Sequence, residues 1–383
     1  MAAVTAIGPF TLHALSPALP EISRDFEVSA ASAQLMLSLS LVAMAIATLI
    51  WGPLSDRYGR VPVMLAGLAL AAGGSAMAAL APELWVAVLG RLLQAAGGAA
   101  GMVLARAVAQ DIFGSERSAG VIGQITAVMV AAPMVAPTLS GLVVEGVGWR
   151  GIFWLSALLC LGLVIWTRAG LAESAPGGGA RRVSDMLGGF VVIGGRAAFL
   201  RHAGYAACSL AGFYYFVGIT PYVMQDAFGR GPAAYGLYFM LLSGMYMITN
   251  FVCGPITAKF GAERVLPFGA LLAVAGPGLS IALLLAGVSD PLVLFMPGMI
   301  QSFGAGLAVP NAMAGAVASA PDRAGAASGL LGFSQFLLAA LTTQVAGFLP
   351  HEDPMVVPAG MLVMLALGLL CLFGMQRGTS GGR

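Results

Sequence analysis

From Leu35 to Trp51, and again from Val61 to Pro82, the chain carries no charged residue. No other feature constrains its folding as much. A helix crossing the hydrocarbon core of a bilayer needs about 20 apolar residues, and inside lipid only helices and closed barrels satisfy their own backbone groups. Breaking the apolar runs at charges, Pro and Gly gives twelve segments, near 2–20, 30–51, 61–81, 85–107, 118–143, 151–168, 202–222, 234–256, 264–286, 291–313, 324–348 and 356–376. Each is long enough to cross. Of 383 residues, 59% are hydrophobic and 9% charged. A soluble domain is about 25% charged, so this chain cannot coat a water-facing surface of its size. Gly and Ala crowd the apolar runs, as in "AAGGAAG" at 95–101, which suits close helix packing in lipid. The expectation is an all-α membrane protein with twelve transmembrane helices. The first stretch lacks the basic leader and small-residue cleavage pattern of a signal peptide, and reads as a span.

Charge gives the orientation. Of the 18 Lys and Arg residues, Arg57, Arg60, Arg106, Arg117, Arg168, Arg181, Arg182, Arg196, Arg201, Lys259, Arg264, Arg323, Arg377 and Arg383 fall on one set of connections. Arg24, Arg150 and Arg230 fall on the other, and Arg91 lies inside a span. The positive-inside rule puts the richer set, and with it both termini, in the cytoplasm. A net charge of +2 gives no reason to expect a nucleic-acid partner. The four cysteines, Cys160, Cys208, Cys253 and Cys371, all lie in apolar runs. They read as small buried residues without disulfide or metal.

Residues 52–60 read "GPLSDRYGR" and residues 254–261 read "GPITAKFG". At a shift of 202 positions, Gly52, Pro53 and Gly59 fall on Gly254, Pro255 and Gly261, and only Asp56, which meets Ala258, changes character. The chain therefore reads as two related six-helix bundles with pseudo-two-fold symmetry: 1–169, a polar linker over 170–200, and 201–383. "GPLSDRYGR" is expected to be the short cytoplasmic turn between spans two and three. There Pro53 restricts the backbone as the helix ends, Gly59 permits the reversal, and Asp56 suits the positive end of span three. Arg57 and Arg60 hold the turn on its side.

These features together resemble the major facilitator superfamily. Its signature between helices two and three is matched by Gly52, Leu54, Asp56, Arg57, Gly59 and Arg60, with Val61 in place of the last basic residue. The resemblance implies a cytoplasmic latch that braces two bundles in one state and releases them in the other. "RLLQAAGGAA" at 91–100 resembles the fourth-helix motif through Arg91 and Gln94, with Ala95 where Gly is usual. "APMVAPTLSG" at 132–141 resembles the fifth-helix antiporter motif, and its doubled Ala-Pro is similar to the Bcr/CflA drug:proton antiporters. "SPALPEI", "ARAVAQDIF", "GWRGIFW" and "GAASGLLGFSQ" look like the same family, so the resemblance covers nearly the whole chain. It implies multidrug efflux by alternating access, driven by inward proton flow, by a monomer in the bacterial inner membrane. One departure stands out: His13 occupies the helix-one position where those antiporters usually carry Asp, and no Asp or Glu lies near the middle of any span.

A charge inside a span usually faces a cavity or a partner, which singles out Arg91. It lies eight residues after Glu83, and His13 lies eight before Glu21. At 1.5 Å per residue both sit roughly 12 Å below the outer surface. His13, Arg91 and Gln94 are thus the candidates for proton coupling and transport, because His titrates near neutrality; the alternatives are a packing strut for Arg91 and a neutral interhelical hydrogen-bonder for His13. Pro133, Pro137 and Gly141 read as a hinge in span five, or as a simple kink. Tyr214, Tyr215 and Phe216, with Asn250 and Gln301, are candidates for lining a cavity for amphiphilic compounds, or for bundle packing. Asp111, Glu116 and Arg117 read as solvated or as part of the latch network.

With three scattered histidines, no H-E-x-x-H and no Walker sequence, neither an enzyme nor an ATP-driven pump is expected, and no cofactor or metal. The leading expectation is a secondary exporter of drugs or small amphiphilic compounds. The alternative is an exporter or importer of one specific metabolite on the same fold, with or without coupling to protons.

Overall fold

A computed structural model describes residues 1–174 and 190–374, with side chains between 106 and 130 described in part. Arg181, Arg182, Arg377, Arg383, residues 175–189 of the expected linker, and the side chains of Arg106, Glu116 and Arg117 lie outside the described residues. The described chain is helical throughout. Its helices are α1 (Ala2–Ala14), α2 (Leu19–Asp25), α3 (Ala30–Tyr58), α4 (Arg60–Ala79), α5 (Leu84–Val147), α6 (Arg150–Gly170), α7 (Ala197–Asp226), α8 (Pro232–Phe260), α9 (Ala262–Leu285), α10 (Leu292–Ala318), α11 (Ala324–Ala346) and α12 (Val356–Gly374).

Among the described residues, 11 helical segments are long and apolar enough to cross a membrane, and a shorter apolar one covers Ala131–Val147. The protein is a multi-pass membrane protein. The fifth expected segment, 118–143, falls within α5, whose two ends run in opposite directions along α1. Near its start Gly101 lies against Val4 and Gly98 against Gly8. Near its end the Ser140 hydroxyl donates to the Ala14 carbonyl.

Two expected boundaries change. The first crossing does not end at residue 20. It bends through a 3-10 turn, Ser16–Ala18, and continues as α2 to Asp25. Pro17 and Pro20 each sit at the first or second position of a helical turn, where a missing N–H costs nothing. The second crossing likewise does not stop at Pro53. α3 runs through it to Tyr58, because a Pro in a membrane helix is tolerated where neighbours re-satisfy the freed backbone. Only Gly59, with φ 96°, breaks the helix. The same happens 202 residues later: α8 runs through Pro255 to Phe260, and Gly261, with φ 82°, breaks it.

The chain divides into two compact units, Met1–Val183 with Gly231–Gly236, and Ser184–Arg230 with Leu237–Arg383. Within each, glycines let helix backbones meet. A Cβ on Gly97 would lie 2.3 Å from the Gly67 carbonyl oxygen, joining α5 to α4; a Cβ on Gly304 would lie 2.5 Å from the Gly269 carbonyl oxygen, joining α10 to α9. The first unit has two polar ends. At one, Arg150 pairs with Asp25 at 2.6 Å and donates to the Ala81 carbonyl. At the other, Arg60, Asp111 and Glu173 meet.

Candidate functional site

The polar centre of the first unit is built on two helices. Arg91 and Gln94 are one turn apart on α5, and their spacing of three lets them meet on one face. The Arg91 guanidinium donates to the Gln94 side-chain oxygen. The Gln94 amide nitrogen then donates to the Ser75 hydroxyl on α4 at 2.7 Å, and Ser75 donates to the Ala71 carbonyl at 2.6 Å. All three side chains are buried. Gln94 can bridge an Arg and a Ser because its amide offers both an acceptor and donors. His13, in the last turn of α1, is buried too, and the Arg91 guanidinium acts on it electrostatically. The structure thus brings together His13, Arg91 and Gln94. Ser75 joins them, and sequence reasoning missed it: a Ser in an apolar run carries little signal of its own.

The latch sequence folds differently from its expected form. Arg60, the first residue of α4, is the hub. Its guanidinium donates to Asp56, to the Ser55 hydroxyl at 2.6 Å and to Asp111 at 3.1 Å. Asp56 lies in the last turn of α3, not at the start of the next helix. The carboxylate that meets the positive end of α4 is Glu173, from the segment after α6, which accepts from the backbone N–H groups of Arg60 at 2.9 Å and Val61 at 3.1 Å. Such a cap contributes about 1 kcal/mol. Ser174 adds a bond to Asp111 at 3.3 Å. Arg57 is exposed and lies over the Tyr58 ring at 5.1 Å. Gly52 packs toward Val103 of α5.

Pro133, Pro137 and Gly141 lie in the second part of α5. Gly141 is a point of close approach: a Cβ there would sit 2.4 Å from the Pro232 carbonyl oxygen. Around it Thr138 donates to the Gly236 carbonyl at 2.8 Å, and Glu145 accepts from the Ala233 N–H at 3.0 Å. The Ser16 and Tyr235 hydroxyls share a hydrogen bond of 3.0 Å in the same region. All these residues belong to the first unit.

The candidate cavity residues of the second unit are mostly packed. Tyr215 donates to the Val356 carbonyl at 2.7 Å and fills the space over Gly360. Phe216 joins Phe239 and Phe295 at ring distances of 6.4 and 5.8 Å. Tyr214 is buried beside Phe213. The Asn250 amide donates to the Tyr246 carbonyl one turn back, and Gln301 is buried where α10 crosses Gly276 of α9. Between α11 and α12, His351 stacks on Tyr222 at 4.7 Å. Burial pushes its imidazole below the ordinary value, while Asp226 and Glu352 pull it back.

The sequence matches the family described as Major Facilitator Superfamily over residues 1–343 and again over 202–379. It is 29% identical to the MFS-type transporter YdgK of Bacillus subtilis, over 98% of this chain and 94% of that one. It is also 29% identical to a chloramphenicol resistance protein of Pseudomonas aeruginosa, over 97% and 90%. The fold is similar to that of a peptide transporter solved with alafosfalin, with a TM-score of 0.79 at 16% identity, over 98% of this chain and 92% of that one.

Proposed function

Because the chain belongs to the Major Facilitator Superfamily, whose members are secondary transporters and not enzymes, we propose that it exports drugs or other small amphiphilic compounds in exchange for protons, as in the Bcr/CflA group. It works by alternating access in the inner membrane, as a monomer with both termini in the cytoplasm. The observation that carries this reading is the buried Arg91–Gln94–Ser75 chain with His13 beside it. A guanidinium held in a membrane helix is costly, and the family scheme has a use for it. Substrate or a second charge at Arg91 changes the field at His13, so that proton binding and substrate binding compete. The chloramphenicol resistance protein matched over most of its length favours a drug-like substrate class. The Arg60 cluster serves as the cytoplasmic latch, with Asp56 and Asp111 as the acids that Arg60 bridges and Glu173 holding the turn.

A second reading has its own support. No described Asp or Glu lies in the middle of a span, and His13 stands where the drug antiporters usually have a carboxylate. A transporter for one specific metabolite, uncoupled from protons, fits that departure.

The test is accumulation of a panel of antibiotics and dyes in an efflux-deficient bacterium expressing the chain, with and without a protonophore. Lower accumulation that the protonophore and Arg91→Ala both abolish supports proton-driven export. An unchanged panel, with the protein confirmed in the membrane, favours the metabolite reading.

A further inference from the structure

In the second unit, α7 and α12 pack through small residues. A Cβ on Gly204 would lie 3.0 Å from the Cys371 sulfur, and one on Gly368 would lie 3.2 Å from the Cys208 Cβ. The two thiols stand diagonally across this helix pair, each beside a glycine of the facing helix. They line one cavity of about 550 Å³ together with Met364, Thr342, Leu367 and Leu370. Met364, Gly368 and Cys371 share one face of α12, so the thioether stands on the same side as the thiols. Leu367 and Leu370 are exposed, and the cavity opens toward the hydrocarbon around the helices.

We propose that Cys208, Cys371 and Met364 form a binding site for one soft metal cation of the silver(I), copper(I) or mercury(II) type. Two thiol sulfurs in one lining, with a thioether on the same side and no carboxylate among the lining residues, make a donor set that selects soft ions over magnesium or calcium. Binding of mercury(II) chloride breaks two S–H and two metal–chloride bonds, forms two S–metal bonds and releases two protons and two chloride ions; no oxidation state changes. The Met364 sulfur adds a lone pair. Neutral metal chlorides dissolve in lipid and reach the cavity from the bilayer. The bound ion ties α7 to α12. The other two thiols cannot do this. Cys160 is fully buried on α6, and Cys253 on α8 is held by Asn311, at 3.6 Å, and the Leu307 carbonyl.

The experiment is titration of the full chain, in lipid nanodiscs, with mercury(II) chloride against a competing thiol chelator. Proton release and the melting temperature are followed alongside. The proposal expects one ion per chain, two protons released, a rise in melting temperature, and all three kept in the Cys160→Ser/Cys253→Ser double variant. Cys208→Ser and Cys371→Ser each fold as the parent does without metal but bind about a hundredfold or more weaker, because one of two linked sulfurs is lost. Met364→Leu binds more weakly than the parent and still releases two protons. Binding that survives Cys208→Ser, or that disappears in the Cys160→Ser/Cys253→Ser variant, overturns the proposal. So does release of one proton per ion.

Discussion

The two units use one backbone plan and fill it with different chemistry. In the first, a Cβ on Gly74 would meet the Gly90 carbonyl oxygen and the Gln94 nitrogen, each at 2.5 Å; in the second, one on Gly276 would meet the Pro297 carbonyl oxygen at 2.6 Å and the Gln301 nitrogen at 2.8 Å. Gly276 follows Gly74 by 202 positions, and Gln301 follows Gln94 by 207. On that correspondence Gly298 stands where Arg91 does, and a Cβ there would lie 3.2 Å from Leu242. Pro277 replaces Ser75. The helix-breaking turns repeat the lesson. Gly59 and Gly261 both have positive φ, yet Asp56 and Arg60 in the first unit correspond to Ala258 and Ala262 in the second. Close helix crossings and reversals are demands of the scaffold and occur twice. A buried guanidinium and a bridged pair of acids cost desolvation energy, and among the described residues they occur in the first unit only.

The strongest test of the shared plan is to break it in both places. Gly97→Leu and Gly304→Leu each drive a side chain into a facing backbone, and both are expected to abolish recovery of monodisperse protein, read by size-exclusion chromatography. If only one does so, the crossings are not equivalent. Next comes the chemistry. Arg91→Ala is expected to lower transport at least about tenfold, the effect of losing a charge-assisted hydrogen bond of about 1.5–3 kcal/mol. Gln301→Ala, at the neutral counterpart of Gln94, is expected to stay within about twofold in the same efflux assay.

A smaller effect separates the turns. Gly261→Ala has open space around it and carries only the strain of positive φ, about 1 kcal/mol. Gly59→Ala carries that strain and also drives a Cβ to within 2.8 Å of the Glu173 carboxylate. Its loss in thermal stability is expected to exceed that of Gly261→Ala by the worth of the cap, about 1 kcal/mol. Equal melting temperatures would remove Glu173 from the account.

The smallest effect concerns the connections between the last two helices of each unit. Trp149 packs on Phe26 at 5.4 Å in the first, and 202 positions later His351 stacks on Tyr222 in the second. Burial lowers the His351 pKa in the folded chain. The unfolded chain therefore binds more protons, and this contribution to stability is present above the unfolded value, about 6.5, and is lost as pH falls below it. Between pH 7.5 and 5 the parent is expected to lose more melting temperature than His351→Gln does.

The sequence was most legible where physics leaves few choices. Long uncharged runs force helices, and charges mark their ends, so the membrane class and the 202-residue repeat could be read directly. Pro53 was misleading, because the sequence shows a missing N–H but not the neighbours that make it tolerable. Glu173 was hidden in a polar stretch, and nothing in its spacing shows that the chain after α6 folds back onto α4. The match of Gln94 to Gln301 was present in the sequence at a shift of 207, masked by the 202 that fits the turns. Arg91 and His13 stand out in the sequence as a charge and an imidazole in apolar helices; the Ser75 hydroxyl that Gln94 meets does not.

The most direct test of proton-driven export is made with purified chain in proteoliposomes, following an exported dye or antibiotic and internal pH together after an imposed pH gradient. The account predicts substrate moving against the proton flow, with both fluxes lost in Arg91→Ala and the substrate flux no longer driven by the gradient in His13→Ala. Substrate moving at the same rate without a gradient, and without a change of internal pH, would contradict it.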